Sequence, residues 1–188
     1  NVEEALQAER DGADVQAGKG RCHEGVFRDK GVHGGFIKAE RRLVMEYRRF
    51  GHKLVLRLDP EEEVVQCLTK LCEQEDISLA EVSGLGAASE VELGLFDTDT
   101  KAFQGKCLKG AYEIASLTGS ITRKDGEPYL HLHGVIGNPV KGECHGGHLV
   151  RAVISATAEI FVDILPGEVG RRMSREIGLN LFDFPESQ

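Results

Sequence analysis

Two histidines separated by a single leucine, His131-Leu132-His133, and a third that follows a glycine pair, Gly146-Gly147-His148, are the densest concentration of chemistry in the chain. In a β-strand, residues two apart point to the same side, about 6–7 Å apart along the backbone. His131 and His133 are therefore expected on one face, with Leu130 and Leu132 on the other. Two imidazoles from a strand and a third from a following loop make a three-nitrogen site with one position left open, the form of a catalytic rather than a structural zinc centre. His148 is the preferred third ligand, because glycines before it allow close backbone approach. His145 and Cys144 compete for the role. Imidazole also suits nickel, copper and iron, so the donor set favours Zn2+ or another divalent transition metal without fixing which. Glu113 and Glu159 sit in apolar, strand-like runs, and with the Tyr112 hydroxyl they are the candidate acid/base groups near such an ion. The plainer reading of both glutamates is an outward face or an internal ion pair.

Other chemistries are less supported. Ser83-Gly84-Leu85-Gly86 lacks the rest of a dinucleotide-binding glycine pattern, and neither a phosphate-binding P-loop nor a Gly-x-Ser-x-Gly elbow occurs. The five cysteines are odd in number and form no CxxC pair, which predicts reduced thiols in a cytoplasmic protein. Cys67 and Cys72 fall in a helical apolar pattern and read as small core hydrophobes.

The elements that must position these groups begin near residue 45. Residues 1–44 are rich in glycine and lack a sustained period, apart from a short helical stretch in Asn1–Arg10, so they read as a flexible or weakly ordered extension to a domain spanning 45–188. Lys38, Arg41, Arg42, Arg48 and Arg49 could touch a polyanion, although Glu40 and Glu46 interrupt the run, which reads more simply as a solvated linker. Lys53–Leu58 alternates as a strand with Leu54, Leu56 and Leu58 inward. Asp59-Pro60-Glu61-Glu62-Glu63 predicts a helix start capped by Asp59, and Val64, Leu68, Leu71 and Cys72 continue it to about Glu75. Strands are expected over 77–82, 90–96, 102–108, 112–122 and 129–136. Turns are expected at 97–100 and 123–128, and a loop over 137–147. One long or two short strands follow over 149–165. The tail predicts a helical turn over 171–176 and an extended stretch over 179–184. Many strands and few helices give an α+β fold around a largely antiparallel sheet with one main packed helix.

The chain has 188 residues, 40% of them apolar and 29% charged, enough for one well-filled core and too rich in aliphatic residues for a disordered chain. No apolar run reaches the roughly 18 residues of a membrane-spanning helix. The net charge is −8. Positions 1–50 hold 10 basic and 9 acidic residues, which leaves 13 basic and 22 acidic residues, −9, on the body. A protein that coats nucleic acid needs cationic surface to displace counterions, so this balance argues against that class.

In chain order, Leu56-Arg57-Leu58-Asp59-Pro60, Val82-Ser83-Gly84-Leu85-Gly86-Ala87, Gly110-Ala111-Tyr112-Glu113-Ile114, Ser116-Leu117-Thr118-Gly119, Asp125-Gly126-Glu127-Pro128-Tyr129-Leu130-His131-Leu132-His133, Gly146-Gly147-His148-Leu149, Ile154-Ser155-Ala156-Thr157-Ala158-Glu159 and Leu181-Phe182-Asp183-Phe184 resemble the PPC (plants and prokaryotes conserved) domain, also written PCC. The resemblance covers about Leu54 to Phe184, roughly two thirds of the chain. It implies a strongly bent antiparallel sheet, assembly as a homotrimer, and a DNA-associated regulatory role in a prokaryotic cytoplasm. Plant members of the family carry Arg-Gly-Arg-Pro hooks for A·T-rich DNA. This sequence has none, and with the −9 body that sets DNA against the other partners, a second copy of the chain or a small molecule. The fold also resembles acetolactate decarboxylase and a zinc-dependent ester hydrolase. The zinc-holding His-x-His and Gly-Gly-His of the decarboxylase fall on His131, His133 and His148. That implies the alternative function, a zinc-dependent lyase or hydrolase acting on a small carboxylate, keto acid or ester.

Overall fold

The computed structural model describes residues 45–184. The helical stretch expected in Asn1–Arg10, the extension over 1–44 and the basic residues Lys38, Arg41 and Arg42 lie outside the described residues. Strand β1 (Glu46–Phe50) pairs antiparallel with β2 (Lys53–Leu58), and helix α1 (Val64–Gln74) follows. Four long strands come next: β3 (Ala80–Asp97), β4 (Ala102–Lys124), β5 (Glu127–Asn138) and β6 (Glu143–Ile164). A two-stranded hairpin, β7 (Gly170–Ser174) and β8 (Leu179–Asp183), ends the fold. The result is a mostly antiparallel sheet with one short helix, in line with the α+β expectation.

The six-stranded sheet runs in the order β1-β2-β6-β3-β4-β5, and β6 pairs with β5 as well. Strands β3, β4, β5 and β6 therefore form a closed ring of pairings. Closure requires bending. Strands of 18, 23 and 22 residues are far longer than the usual five or six. They accommodate the bend through register shifts at Gly84/Gly86, Ala88/Glu90 and Ile114/Ser116. Runs expected to be separate, such as 102–108 and 112–122, are single bent strands for this reason. The expected loop over 137–147 is likewise mostly strand. Chain reversal takes only residues 139–142, where Asn138 Oδ1 accepts from the Lys141 N–H and Gly142 turns at φ 67°.

Inside, Leu54, Leu56 and Leu58 of β2 meet Val64, Leu68, Leu71 and Cys72 of α1 and the inward residues of β6, including Ile154, Ile160 and Val162. Cys67 and Cys72 are buried in this core and Cys144 is exposed, all three with free thiols. Cys107 departs from the expectation of reduced cysteines, being disulfide-bonded.

The helix starts later than the sequence predicts. Glu61 adopts φ 75°, and the Glu61 N–H and Glu62 C=O are both taken by Ile154 of β6, at 2.9 Å each. Residues 59–62 are thus tied to the sheet, and Asp59 gives its N–H to the buried Glu62 carboxylate at 2.7 Å instead of capping. The cap is Glu63. Its carboxylate accepts from the Val65 and Gln66 N–H groups at the positive helix end, and Glu63 Oε1 also accepts from Ala152 of β6 at 3.0 Å. One side chain thereby fixes helix to sheet. The tail differs too: where a helical turn was expected over 171–176, Gly170–Ser174 is a strand, and the turn that follows closes at Gly178 with φ 92°.

Glu63→Ala removes the cap and leaves the Ala152 N–H without its acceptor. Urea unfolding should show a loss of about 1–2 kcal/mol, the usual range for a lost cap, with a larger loss than for Glu61→Ala.

Candidate metal centre

The three histidines come together through sheet pairing. His131 and His133 lie on β5 opposite Ser120 and Thr118 of β4. Residues directly opposite in an antiparallel pair share a face, so this face of β4 and β5 carries Thr118, Ser120 and Thr122 beside Tyr129, His131 and His133. His148 stands in β6, not in a loop. It pairs with His133 on one side and with Gly94 of β3 on the other. The site sits where the ring of strands closes.

Two glycines make that closure tight. A Cβ on Gly147 would lie 2.8 Å from the Gly94 carbonyl oxygen, so a side chain there would push β6 off β3 beside His148. A Cβ on Gly94 would overlap the Phe103 ring. That ring leans edge-on to His148 at 5.9 Å between centroids and walls the site on the β4 side.

The imidazole centroids are 5.2 Å apart for His131 and His133, 5.4 Å for His131 and His148, and 5.7 Å for His133 and His148. One ring nitrogen from each lies within 4.8 Å of those of the other two. Three nitrogens about 2.0–2.1 Å from one zinc ion are about 3.3 Å from each other, so modest rotation of the rings closes them on an ion. The donor set fits a metal: three imidazoles on paired strands, with two of the three residues exposed to solvent.

The surroundings of His148 and His131 favour the neutral imidazole, the form that binds metal. Burial, then the neighbouring His131 and His133, push His148 down to about 4. His131 is lowered as well, by burial first, then by His133 and by the guanidinium of Arg171.

Of the competing ligands, Cys144 and His145 do not join the group; His145 packs against Tyr112 instead, 6.4 Å between centroids. Glu113 is exposed on β4 opposite Ala87 and Gly137, and Glu159 is exposed on β6 between Arg57 and Leu85. Neither belongs to the three-histidine group. The Tyr112 hydroxyl donates to Glu143 at 3.0 Å, a bond that raises its pKa and removes it as a base at neutral pH.

Sequence reasoning missed Arg171. Its Nε donates to Thr122 Oγ1 at 2.9 Å and its Nη2 to Ser120 Oγ at 3.2 Å, both on the histidine face. The guanidinium lies between the rings of Tyr129 and Phe182, 4.7 and 4.2 Å from their centroids. Alternation through Arg171 and Met173 was the available signal, masked by the helical reading of the tail.

Residues 45–166 match the model of the Plants and Prokaryotes Conserved (PCC) domain, and the chain belongs to that family. Solved structures agree. A metal-containing protein from Archaeoglobus fulgidus is 33% identical with a TM-score of 0.67, over 75% of this chain and 99% of that one. A protein from Bacteroides thetaiotaomicron described as a candidate DNA-binding protein is 30% identical with a TM-score of 0.72, over 74% and 97%. Another so described, from Ralstonia eutropha, is 31% identical with a TM-score of 0.69, over 74% and 96%. None of the curated proteins matches the chain.

The lowered His148 has a consequence for stability. Between about 4 and the ordinary 6.5 of the unfolded chain, the unfolded state binds the proton and the folded state does not. Stability of metal-free protein is therefore fully present above pH 6.5 and falls as pH drops toward 4. Urea titrations of EDTA-treated protein should show this slope, and it should flatten in His148→Phe.

Proposed function

We propose that this chain is a metal-binding PCC-domain protein in which His131, His133 and His148 hold one zinc or other divalent transition ion and leave a position for a small-molecule ligand. The observation that carries this reading is the joint pairing of His148 with His133 and Gly94, which aims three imidazoles at one point. The metal content of the Archaeoglobus fulgidus relative supports it. At an open position such an ion polarises a carbonyl or lowers the pKa of bound water. That is the chemistry a lyase or hydrolase acting on a small carboxylate, keto acid or ester would need. Glu113 and Glu159 lie outside the group, so an enzyme built on this site would draw its proton transfers from a metal-bound water or from the substrate.

Assembly as a homotrimer belongs to the same reading. The single chain exposes Leu85, Leu95, Val140 and Phe161, four large apolar side chains on or beside the long strands, and a subunit interface would cover such groups. The free thiols of Cys67, Cys72 and Cys144 support a cytoplasmic location in a prokaryotic cell, and the disulfide at Cys107 weighs against it. No described helix is long and apolar enough to cross a membrane.

A DNA-associated regulatory role is the second reading, favoured by the descriptions of the Bacteroides and Ralstonia relatives. The −9 of residues 51–188 weighs against it, because phosphate contacts need local cations. Fluorescence anisotropy with a labelled duplex separates the two: DNA association requires binding at low salt that weakens steeply as salt rises.

Purified without a histidine tag, the protein should contain about one transition-metal ion per chain by mass spectrometry. His148→Ala and His131→Ala should lose it and melt at a lower temperature than the loaded protein. A metal-free native protein that takes up none on titration would end the metal reading.

A further inference from the structure

We propose that Cys22 and Cys107 form a reversible disulfide clasp that fastens the N-terminal segment across the sheet face carrying the histidines. The inference goes beyond the metal reading and does not depend on it.

The pairing follows from the cysteines themselves. The chain has five. Cys67, Cys72 and Cys144 carry free thiols, and Cys107 is disulfide-bonded. Cys22, which lies outside the described residues, is the one partner left for it. The competitors are also poorly placed. Cys107 is level with Glu92 of β3 and, through it, with Arg151 of β6. Cys144 lies seven positions before Arg151 on that strand. That is about 20 Å, far beyond the roughly 7 Å between Cα atoms that a disulfide spans. Cys67 and Cys72 are core residues, and burial pushes their thiols up to about 11 and about 12, which keeps them out of thiol exchange. Met45 follows Cys22 by 23 positions. A chain of that length spans up to about 75 Å, so it reaches Cys107 from the start of β1.

Cys107 stands on the histidine face. It is two residues from Gly105, Gly105 pairs with Gly94, and Gly94 pairs with His148. Residues directly opposite share a face, and so do residues two apart on one strand. Phe103 is on the same face of β4, and its ring leans edge-on to His148. Two strand spacings across and one same-face step along place Cys107 on the order of 12 Å from His148 between Cα atoms. A disulfide would hold Cys22 beside Cys107, and about four extended residues next to Cys22 would cover the distance to His148. The terminal hairpin occupies the Phe103 side of this row, where Gly178 packs on Phe96 and Lys101 donates to the Ile177 carbonyl at 2.9 Å. Cys107 marks the opposite side.

The bond suits reversible use. Cys107 is only half-buried, within reach of small thiols, and accessible disulfides are the labile, regulatory kind. Arg21 precedes Cys22, and a neighbouring cation favours the thiolate that attacks. The oxidant is a low-molecular-weight disulfide such as oxidised glutathione. The Cys22 thiolate attacks one of its sulfurs and releases one glutathione thiol. The Cys107 thiolate then displaces the second. One S–S bond breaks in the oxidant and one forms in the protein, and the two protons and two electrons lost by the protein thiols leave on two glutathione thiols.

The test uses full-length protein prepared without reductant, with free thiols alkylated before digestion and peptide mass spectrometry. The expected result is a cross-linked pair of peptides holding Cys22 and Cys107, with Cys67, Cys72 and Cys144 alkylated. Reduction should leave all five alkylated, and oxidised glutathione should restore the cross-link within a single chain. An alkylated Cys107 in the unreduced protein, a bond from it to any other cysteine, or a bond joining two chains overturns the proposal. Coverage of the face is read on EDTA-treated protein with diethyl pyrocarbonate. His131 and His133 should be acylated several-fold faster in Cys22→Ser than in the oxidised native protein, while His52 reacts equally in both. Should Cys22→Ser fail to fold, native protein after reduction takes its place. Equal rates at His131 and His133 overturn the proposal and leave the metal reading standing, because this readout needs no metal.

Discussion

The pairing of β5 with β6 is the constraint on which the site depends. Without it the sheet is an open ribbon in which β5 is an edge strand, with His131 and His133 on that edge and His148 on β6, separated from it by β3 and β4. The direct pairing of His133 with His148 converts three residues from two strands into one cluster. The other features around it serve closure: bulges that bend β3 and β4, the tight turn at 139–142, and Gly147, where any side chain would strike the Gly94 carbonyl. Because these contacts are backbone hydrogen bonds of a closed sheet, the histidines sit on rigid elements, which metal sites need for defined geometry.

The helix anchors the opposite part of the same strands. Glu63 joins the start of α1 to Ala152 of β6, and Glu61 and Glu62 exchange backbone bonds with Ile154. Strand β6 is therefore held at its middle by the helix entry, along its second half by β2 and β3, and at its start by β5. The terminal hairpin then packs on the histidine face through Arg171, which bonds Thr122 and Ser120 of β4 and stacks on Tyr129 of β5.

Much of this was legible in the sequence, and the misses share a cause. The common face of His131 and His133 follows from period two, and Leu54, Leu56 and Leu58 are buried as their alternation demands. His148 was legible as a ligand type, but the glycines before it read as a loop, because a long-range pairing, not local propensity, makes that segment a strand. The helix start at Asp59-Pro60 was a sound local signal overruled by β6, which takes the backbone groups of Glu61 and Glu62. Arg171 reaches the site only through hairpin docking, which local periodicity does not encode. Glu113 and Glu159 show the reverse limit: apolar neighbours in sequence suggested a protected setting, and the strands turn both outward.

The most direct test of the account is X-ray absorption at the metal edge of the loaded protein. Three imidazoles on the closed β5–β6 pairing predict three nitrogen scatterers at about 2.0–2.1 Å, as in three-histidine zinc sites, with imidazole outer-shell features and an oxygen at the open position. A sulfur scatterer near 2.3 Å, which would bring Cys144 into the sphere, or fewer than three imidazoles, would contradict it.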